Sequence, residues 1–548
     1  PELATAVGWP GQGHRWADRS DSAVTRRHQE TVAIAAALAT FDAGALDEAD
    51  RLNLALARRQ TEVAVAGQRF PQERLAVTKM AGPHVEVPQT LGRMPARTAG
   101  DLEDVVARLH GLSTLVDQTI TLLDEGRSPA FGVTPCRLTV ADVPDQLEAL
   151  AGAAPEASPL LAAFAAPRRP PAVDAEDWDW LRADAREAWE TVAVPALGRL
   201  ARHLRDTYLP ACRETVAWSD LPDGPDWYAH LVRRFTTTDL DPAEIHGLGH
   251  QECARIRAAM DEAMAATGHT GGFEDFTEHL RTDPRFYFDD PEALLAAYRD
   301  IAKRIDPGLP ELFGVLPRLP YGVRAVPDHE APSTTTAYYL RGSPAAGRPG
   351  WFYANTYDLA ARPRWEMEAL TLHEAVPGHH LQIALAAELE GLPRFRTLGP
   401  APTAYTEGWG LYAESLGAEL GLYADPYSRF GQLTYEMWRA VRLVVDTGIH
   451  ALGWSRRQAV DFFRERSGKP LHDIGVEVDR YIAWPAQALA YKIGERTITR
   501  LRAEAAAALG PAFDVRRFHD VVLGAGPLPL DVLEERVRAW TGAAGTTS

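Results

Sequence analysis

Over most of the chain apolar residues recur every three or four positions, the period of helices with one buried face. Leu52, Leu54, Leu56, Val63 and Val65 predict a helix over about 47–70. Leu102, Val105, Val106, Leu109, Leu112 and Leu115 predict another, opened by Thr98. One more, capped by Asp21 or Ser22, precedes these, and a long one over about 175–208 follows. Residues 1–22 and 217–242 hold turn formers without a period, so they read as an ordered arm and a loop-rich connection. The Ala- and Pro-rich stretch 152–172 reads as a linker or loop. Asp241-Pro242-Ala243-Glu244 starts a helix that runs to about Ala266, with proline in its first turn.

After residue 315 the period shortens. Tyr321–Val326, Thr334–Arg341 and Trp351–Thr356 are rich in aromatic and β-branched residues, and Pro and Gly separate them. They predict a small sheet of three or four strands leading into a helix. Helical spacing returns over 364–390, 404–420, 426–450, 455–466, 473–483 and 485–508. The predicted fold is mainly α, with a small β-sheet beside the helix that carries the chemistry. Residues 1–240 read as helical scaffold and 241–548 as the catalytic region, the two integrated into one unit.

Composition narrows the function. The 548 residues carry a net charge of −18 without a block of one sign, which argues against nucleic acid, because phosphate binding needs clustered Lys and Arg. The three cysteines, Cys136, Cys212 and Cys253, are far apart and odd in number, so no disulfide framework is expected. No apolar run of about 18 residues spans a membrane, and Pro1-Glu2-Leu3-Ala4 does not start a signal peptide. A cytoplasmic protein is expected, with a secretion signal trimmed from the chain as the alternative, and a homodimer is one assembly the sequence permits.

The chemistry gathers around Leu372-His373-Glu374-Ala375-Val376-Pro377-Gly378-His379-His380-Leu381-Gln382. A helical His-Glu pair with a later histidine suits zinc hydrolysis: imidazoles hold the ion and the carboxylate takes a proton from water. The usual spacing between the histidines is four residues. Here position four is Pro377, and the next histidines are six and seven residues after His373. An unbroken helix would point them elsewhere. Pro377 and Gly378 predict a bulge that returns one of them to His373. His379 needs a two-residue bulge and His380 a larger one, so the two compete, with His379 favoured and His380 left as a pocket residue.

A third ligand is expected from Tyr405-Thr406-Glu407-Gly408-Trp409-Gly410-Leu411-Tyr412-Ala413-Glu414. Glu407 lies 28 residues after His379, room for a turn and an antiparallel helix. Glu414, two turns on, is placed to hold a ligand histidine. Arg442, Asp446 and His450 recur at i, i+4 and i+8, as on a helix facing a polar pocket. The stretch 480–494 mixes Arg480, Tyr481, Gln487, Tyr491 and Lys492 with small residues. A tyrosine hydroxyl there, or His450, can donate to an oxyanion. Asn355, at the end of the last strand segment, is expected near the site. Arg442, Arg480 or Lys492 can receive a substrate carboxylate. His246 and His250 have metal-compatible spacing, but no carboxylate helix follows them, and they read as ordinary surface or core histidines.

Four blocks together carry a resemblance: His-Glu-Ala-Val-Pro-Gly-His-His, Glu-Gly-Trp-Gly-Leu-Tyr-Ala-Glu, Arg-Leu-Val-Val-Asp-Thr-Gly-Ile-His and Arg-Tyr-Ile-Ala-Trp-Pro-Ala-Gln-Ala-Leu-Ala-Tyr-Lys-Ile-Gly. They resemble the domain-of-unknown-function 885 proteins, large and mostly helical chains common in bacteria, over nearly the full length. That family is similar to gluzincin-type zinc peptidases and, more distantly, to helical oligopeptidases and carboxypeptidases that include angiotensin-converting enzyme. The resemblance implies His373, His379 and Glu407 as ligands, Glu374 as base, and a tyrosine from the Tyr481–Tyr491 block as transition-state donor. Pro377-Gly378 departs from the parent motif. The expected function is a zinc-dependent hydrolase, a carboxypeptidase, dipeptidase or oligopeptidase acting on short peptides. The alternative is a biosynthetic metalloenzyme, an amide hydrolase or a lyase or dehydratase, acting on an amino-acid-derived small molecule. Zinc is the default ion for two histidines and a glutamate, with manganese or iron as substitutes.

Overall fold

The structure is a computed structural model that describes residues 1–165, 169–327, 331, 335–343 and 347–545. It is mainly helical with one three-stranded sheet. The chain divides into two compact units, one of Pro1–Trp227 with Ile482–Trp484, the other of Tyr228–Tyr481 with Pro485–Ser548.

In the first unit the periodic leucines and valines pack as their spacing requires. Helix Ala99–His110 is capped by Thr98, whose side chain accepts from the Asp101 N–H while Asp101 bonds back to the cap. Its buried Leu102, Val105, Val106 and Leu109 join a core with Leu197, Leu200 and Leu204. The helix expected over 175–208 is Ala175–Ala188 followed by Val194–His203, with wider π-helical turns at Trp189–Ala193 and Leu204–Tyr208. Pro195 accounts for the first of these, because it offers no N–H to the turn before it and its ring crowds that turn. Residues 1–22 are less irregular than their composition suggests, since Glu2–Val7 is a short helix. Part of the expected linker, 166–168, lies outside the described residues; before it, Pro159–Phe164 forms a 3-10 turn that buries Leu160, Leu161 and Phe164.

The loop expected over 217–242 contains a helix, Gly224–Thr236. Gly-Pro-Asp reads as a turn, yet proline in a first helical turn is well tolerated. Trp227, Tyr228, Leu231 and Val232, all buried, supply the stripe.

In the second unit β1 (Tyr321–Ala325), β2 (Ala337–Leu340) and β3 (Gly350–Ala354) form a sheet in the order β1-β3-β2. β3 runs parallel to β1 and antiparallel to β2, so Phe352 pairs with Val323 on one side and Tyr339 on the other. Thr334, the expected first residue of β2, lies outside the described residues. Phe352 is fully buried, its ring 5.1 Å from that of Tyr298 on helix Pro291–Ile305. The helix expected over 364–390 is two, Met367–Glu374 and His379–Glu388. Helices Thr403–Ser415 and Pro426–Leu452 pack against Met367–Glu374, Leu471–Ala483 follows in the chain, and Ala490–Leu509 packs on Thr403–Ser415. Among the described residues no helix is long and apolar enough to cross a membrane.

Candidate metal centre

The His-Glu helix ends at Glu374 and the next begins at His379, with the turn Ala375–Gly378 between them. The His380 N–H reaches back to the Ala375 carbonyl at 3.0 Å, which closes the turn. The indole of Trp409 donates to the Pro377 carbonyl at 2.8 Å, so a backbone acceptor that the break would leave buried is satisfied. Gly378 is required by space: a Cβ there would lie 2.0 Å from the His373 carbonyl oxygen.

This turn brings His379 beside His373, their rings 4.6 Å apart and nearly perpendicular. Glu407, from helix Thr403–Ser415, completes a group whose ligand atoms all lie within 4.8 Å of one another. Glu407 Oε2 is 3.7 Å from His373 Nε2 and 3.5 Å from His379 Nε2. Such separations are long for hydrogen bonds. They suit donors around one ion, since two ligands each about 2.1 Å from a tetrahedral centre sit roughly 3.4 Å apart.

Electrostatics agree with the geometry. Burial opposes a charge on His373, yet Glu407 and Glu414 hold its pKa up at about 9. Burial likewise opposes the Glu407 carboxylate, but His373 and His379 keep it well below the usual range. The carboxylates thus favour positive charge on the imidazole side of the cluster, and the donors present fit a divalent cation. His373 Nδ1 donates to Glu414 Oε1 at 2.8 Å, which leaves the Nε2 lone pair for a metal. Arg439 Nη2 lies 3.6 Å from the same carboxylate oxygen. The main chain of Gly410 presses on the His373 ring, so that a Cβ there would come within 2.7 Å of Cε1. Glu374, the residue after His373, is buried at the helix end, and its charge is among those that His373 feels.

Other expected residues divide into near and far. Tyr491 is near: burial raises its pKa, and the negative charge of Glu407 raises it further. Arg442 lies over its ring, Cζ 4.6 Å from the centroid. His380 faces the sheet instead, its ring 4.4 Å from that of Tyr321 and its Nδ1 2.9 Å from the Tyr339 hydroxyl, and burial takes its pKa down to about 4. Tyr481 donates to Glu477 at 2.7 Å and accepts from Arg442 at 3.1 Å, so its hydroxyl is already committed. His450 Nε2 meets the Tyr481 carbonyl at 3.0 Å, which places that nitrogen in the fold rather than at the cluster. Asp446 accepts from the Tyr228 hydroxyl at 2.6 Å and from the Ala486 N–H at 3.0 Å.

Two expected binding residues are held elsewhere. Lys492, fully buried, sits 2.8 Å from Glu436, 2.8 Å from Glu495 and 3.3 Å from Glu252, a cage that leaves it no substrate to meet. The Asn355 amide donates to the Ala331 and Thr335 carbonyls and accepts from the Tyr357 N–H, which ties down the chain after β3. Arg480 donates to Gln487 at 2.9 Å. His246 and His250 touch each other at 3.1 Å on a separate helix, with Thr447 on His246.

Sequence reasoning missed Arg439 and Glu477. Arg439 lies one turn before Arg442 on the same helical line, and Glu477 one turn before Tyr481; a charged residue recurring on an otherwise apolar face was the signal in both cases.

Fold and site together define a mainly helical protein with a His-His-Glu group at a broken helix beside a small mixed sheet. The chain belongs to the family described as bacterial protein of unknown function (DUF885), whose profile matches residues 1–537. It is similar to the solved structure of "the putative lipoprotein from Colwellia psychrerythraea", at 28% identity and a TM-score of 0.93, over 99% of this chain and 96% of that one. A "putative lipoprotein of unknown function from Shewanella oneidensis" shares the fold at 15% identity and a TM-score of 0.74, over 98% and 96% of the two chains. No curated protein matches significantly.

Proposed function

We propose that the protein is a zinc-dependent hydrolase that cleaves an amide bond in short peptides, a peptidase of gluzincin type. One observation carries this reading: His373, His379 and Glu407 converge from three helices, two of them joined by the turn Ala375–Gly378, and Glu374 directly follows the first of them. Two imidazoles and one carboxylate are a donor set of catalytic zinc sites, which keep a further position open. Zinc, when bound, supplies Lewis acidity that polarises a carbonyl and acidifies water.

The chain's own residues do the rest. Glu374 takes the proton of the attacking water on its carboxylate and returns it to the leaving amine. Tyr491 donates its hydroxyl hydrogen to the oxyanion, a role for which its raised pKa suits it, because it stays protonated. Glu414, backed by Arg439, holds His373 in the tautomer that presents Nε2.

Elemental analysis of the purified protein, joined to a peptide library, tests the proposal. One zinc per chain and cleavage of short peptides is the expected result. Metal at stoichiometry with every library member intact would instead move the protein to amino-acid-derived small molecules.

A further inference from the structure

Beside Tyr491, two guanidinium groups share one carboxylate. Arg442 Nη2 lies 3.3 Å from Glu477 Oε2, and Arg480 Nε lies 3.5 Å from Glu477 Oε1. Tyr481 and Gln487, which bond to this group, are neutral. Asp446 also interacts with Arg480, and burial raises its pKa to about 7, so near neutral pH it carries only part of a charge. The cluster therefore holds a surplus positive charge in an enclosed place.

Its hydrogen bonding is incomplete as well. Among the described residues, Arg442 Nη1 and Arg480 Nε, both enclosed, have no hydrogen-bond partner, the 3.5 Å ion pair of Arg480 Nε with Glu477 being too long for one. Arg442 is only 7% exposed. A buried polar N–H without a partner is costly, and more so on a charged group. The Arg480 side chain keeps 18% of its surface accessible, so it offers an approach from solvent. A guanidinium fork matches the two oxygens of a carboxylate. Lys492, the third cation that the sequence offers for a carboxylate, is instead saturated by three glutamates.

The pair is also tied to the metal cluster through one ring. Tyr491 carries Arg442 over its face, and its helix, Ala490–Leu509, meets the helix of Glu407 so closely that a Cβ on Gly408 would lie 2.5 Å from Gly494. A ligand group held by the arginines would thus lie within a short peptide's reach of Glu407.

We infer that Arg480 and Arg442 together bind a carboxylate of the substrate, which makes the preferred substrate a short peptide with a carboxylate near the bond that is cut. The inference rests on the hydrolase reading for the word substrate, but binding of the carboxylate is separable from turnover. A free C-terminus and an acidic side chain present the same chemistry.

Isothermal titration of the zinc-loaded, full-length Glu374→Gln protein distinguishes them. The probes are N-acetyl-dialanine, its C-terminal amide, and N-acetyl-alanyl-glutamate α-amide. Dialanine with its free carboxylate is expected to bind roughly tenfold to a hundredfold more tightly than the amide. A matching gain for the glutamate α-amide alone assigns the site to an acidic side chain. Arg480→Gln should erase the preference, and it leaves Glu477 paired with Arg442. Because Arg442→Gln alone would strand Glu477, the double variant Arg442→Gln/Glu477→Gln is the second test, with circular dichroism and zinc content as checks of folding. Equal affinity for all three probes, no measurable binding of any, or a preference that survives in both folded variants overturns the inference. A carboxylate preference in a wild-type protein that cleaves no peptide would leave this inference standing and defeat the hydrolase reading.

Discussion

Glu414 Oε1 lies 2.8 Å from His373 Nδ1, and neither side chain is more than 4% exposed. A carboxylate so enclosed fixes which ring nitrogen carries hydrogen. Glu414→Gln keeps the shape and removes the charge. Chelator competition should show metal affinity reduced by about 10- to 100-fold. An unchanged affinity would mean that the hydrogen bond does not set the ligand.

Glu374 has a different task. Glu374→Gln should retain the metal, because the cluster of His373, His379 and Glu407 is intact. Its kcat should fall by roughly 100- to 10,000-fold, the usual worth of a general base. Parallel measurement of zinc content and single-turnover rate separates this outcome from loss of the ion.

Gly410 offers a test of packing. A methyl at this position would sit 2.7 Å from His373 Cε1, closer than unbonded carbons approach. Gly410→Ala should displace the imidazole and weaken metal binding by about tenfold or more, a disturbance of the kind that overpacking produces. Circular dichroism should remain that of the wild type. Full metal affinity in this variant would show that the ring yields without consequence.

The Lys492 cage predicts a stability effect without a binding effect. Lys492→Met leaves Glu436, Glu495 and Glu252 facing one another with less compensation. Loss of one partner from a buried charged group costs about 3–5 kcal/mol. Urea unfolding should register that loss. The KM of the variant that still folds, measured below its melting temperature, should match wild type.

His519 makes the protein acid-sensitive. Its Nδ1 donates to the Leu312 carbonyl at 2.7 Å, and its Nε2 accepts from the Tyr412 hydroxyl at 2.8 Å, an arrangement that only the neutral ring satisfies. Burial lowers its pKa from 6.5 to about 4. Between these values the unfolded chain binds a proton that the folded chain does not, so stability rises with pH and falls on acidification from about 6.5 toward 4. At pH 5 this residue alone accounts for about 2 kcal/mol. His519→Asn should be less stable than wild type at pH 7 but lose less between pH 7 and pH 5, as read by urea unfolding at both.

Much of the fold was present in the order of residues. Helical spacing located Ala99–His110 and Pro426–Leu452, because burial of one stripe and a good cap are local requirements. The helix at Gly224–Thr236 is not legible in the sequence, since Gly-Pro-Asp serves a turn and a helix start equally well. At the site, His373, Glu374, His379, Glu407 and Glu414 could be named from their spacing and residue types. Only the tertiary structure decided how they meet. The turn Ala375–Gly378 reaches its shape through the Trp409 indole and the tight fit of Gly378, contacts made across 32 residues and across the turn itself. It is this turn that sends His379 to the cluster and His380 to Tyr321 and Tyr339. The same holds for the cations: Lys492, Arg480 and Arg442 are alike in a sequence as positive side chains. Their separate fates follow from how many carboxylates packing brings to each: among the described residues three form ion pairs with Lys492 and one is shared by the two arginines. Local preference sets which elements form, but a charge is satisfied in three dimensions, by neighbours that the chain order does not reveal.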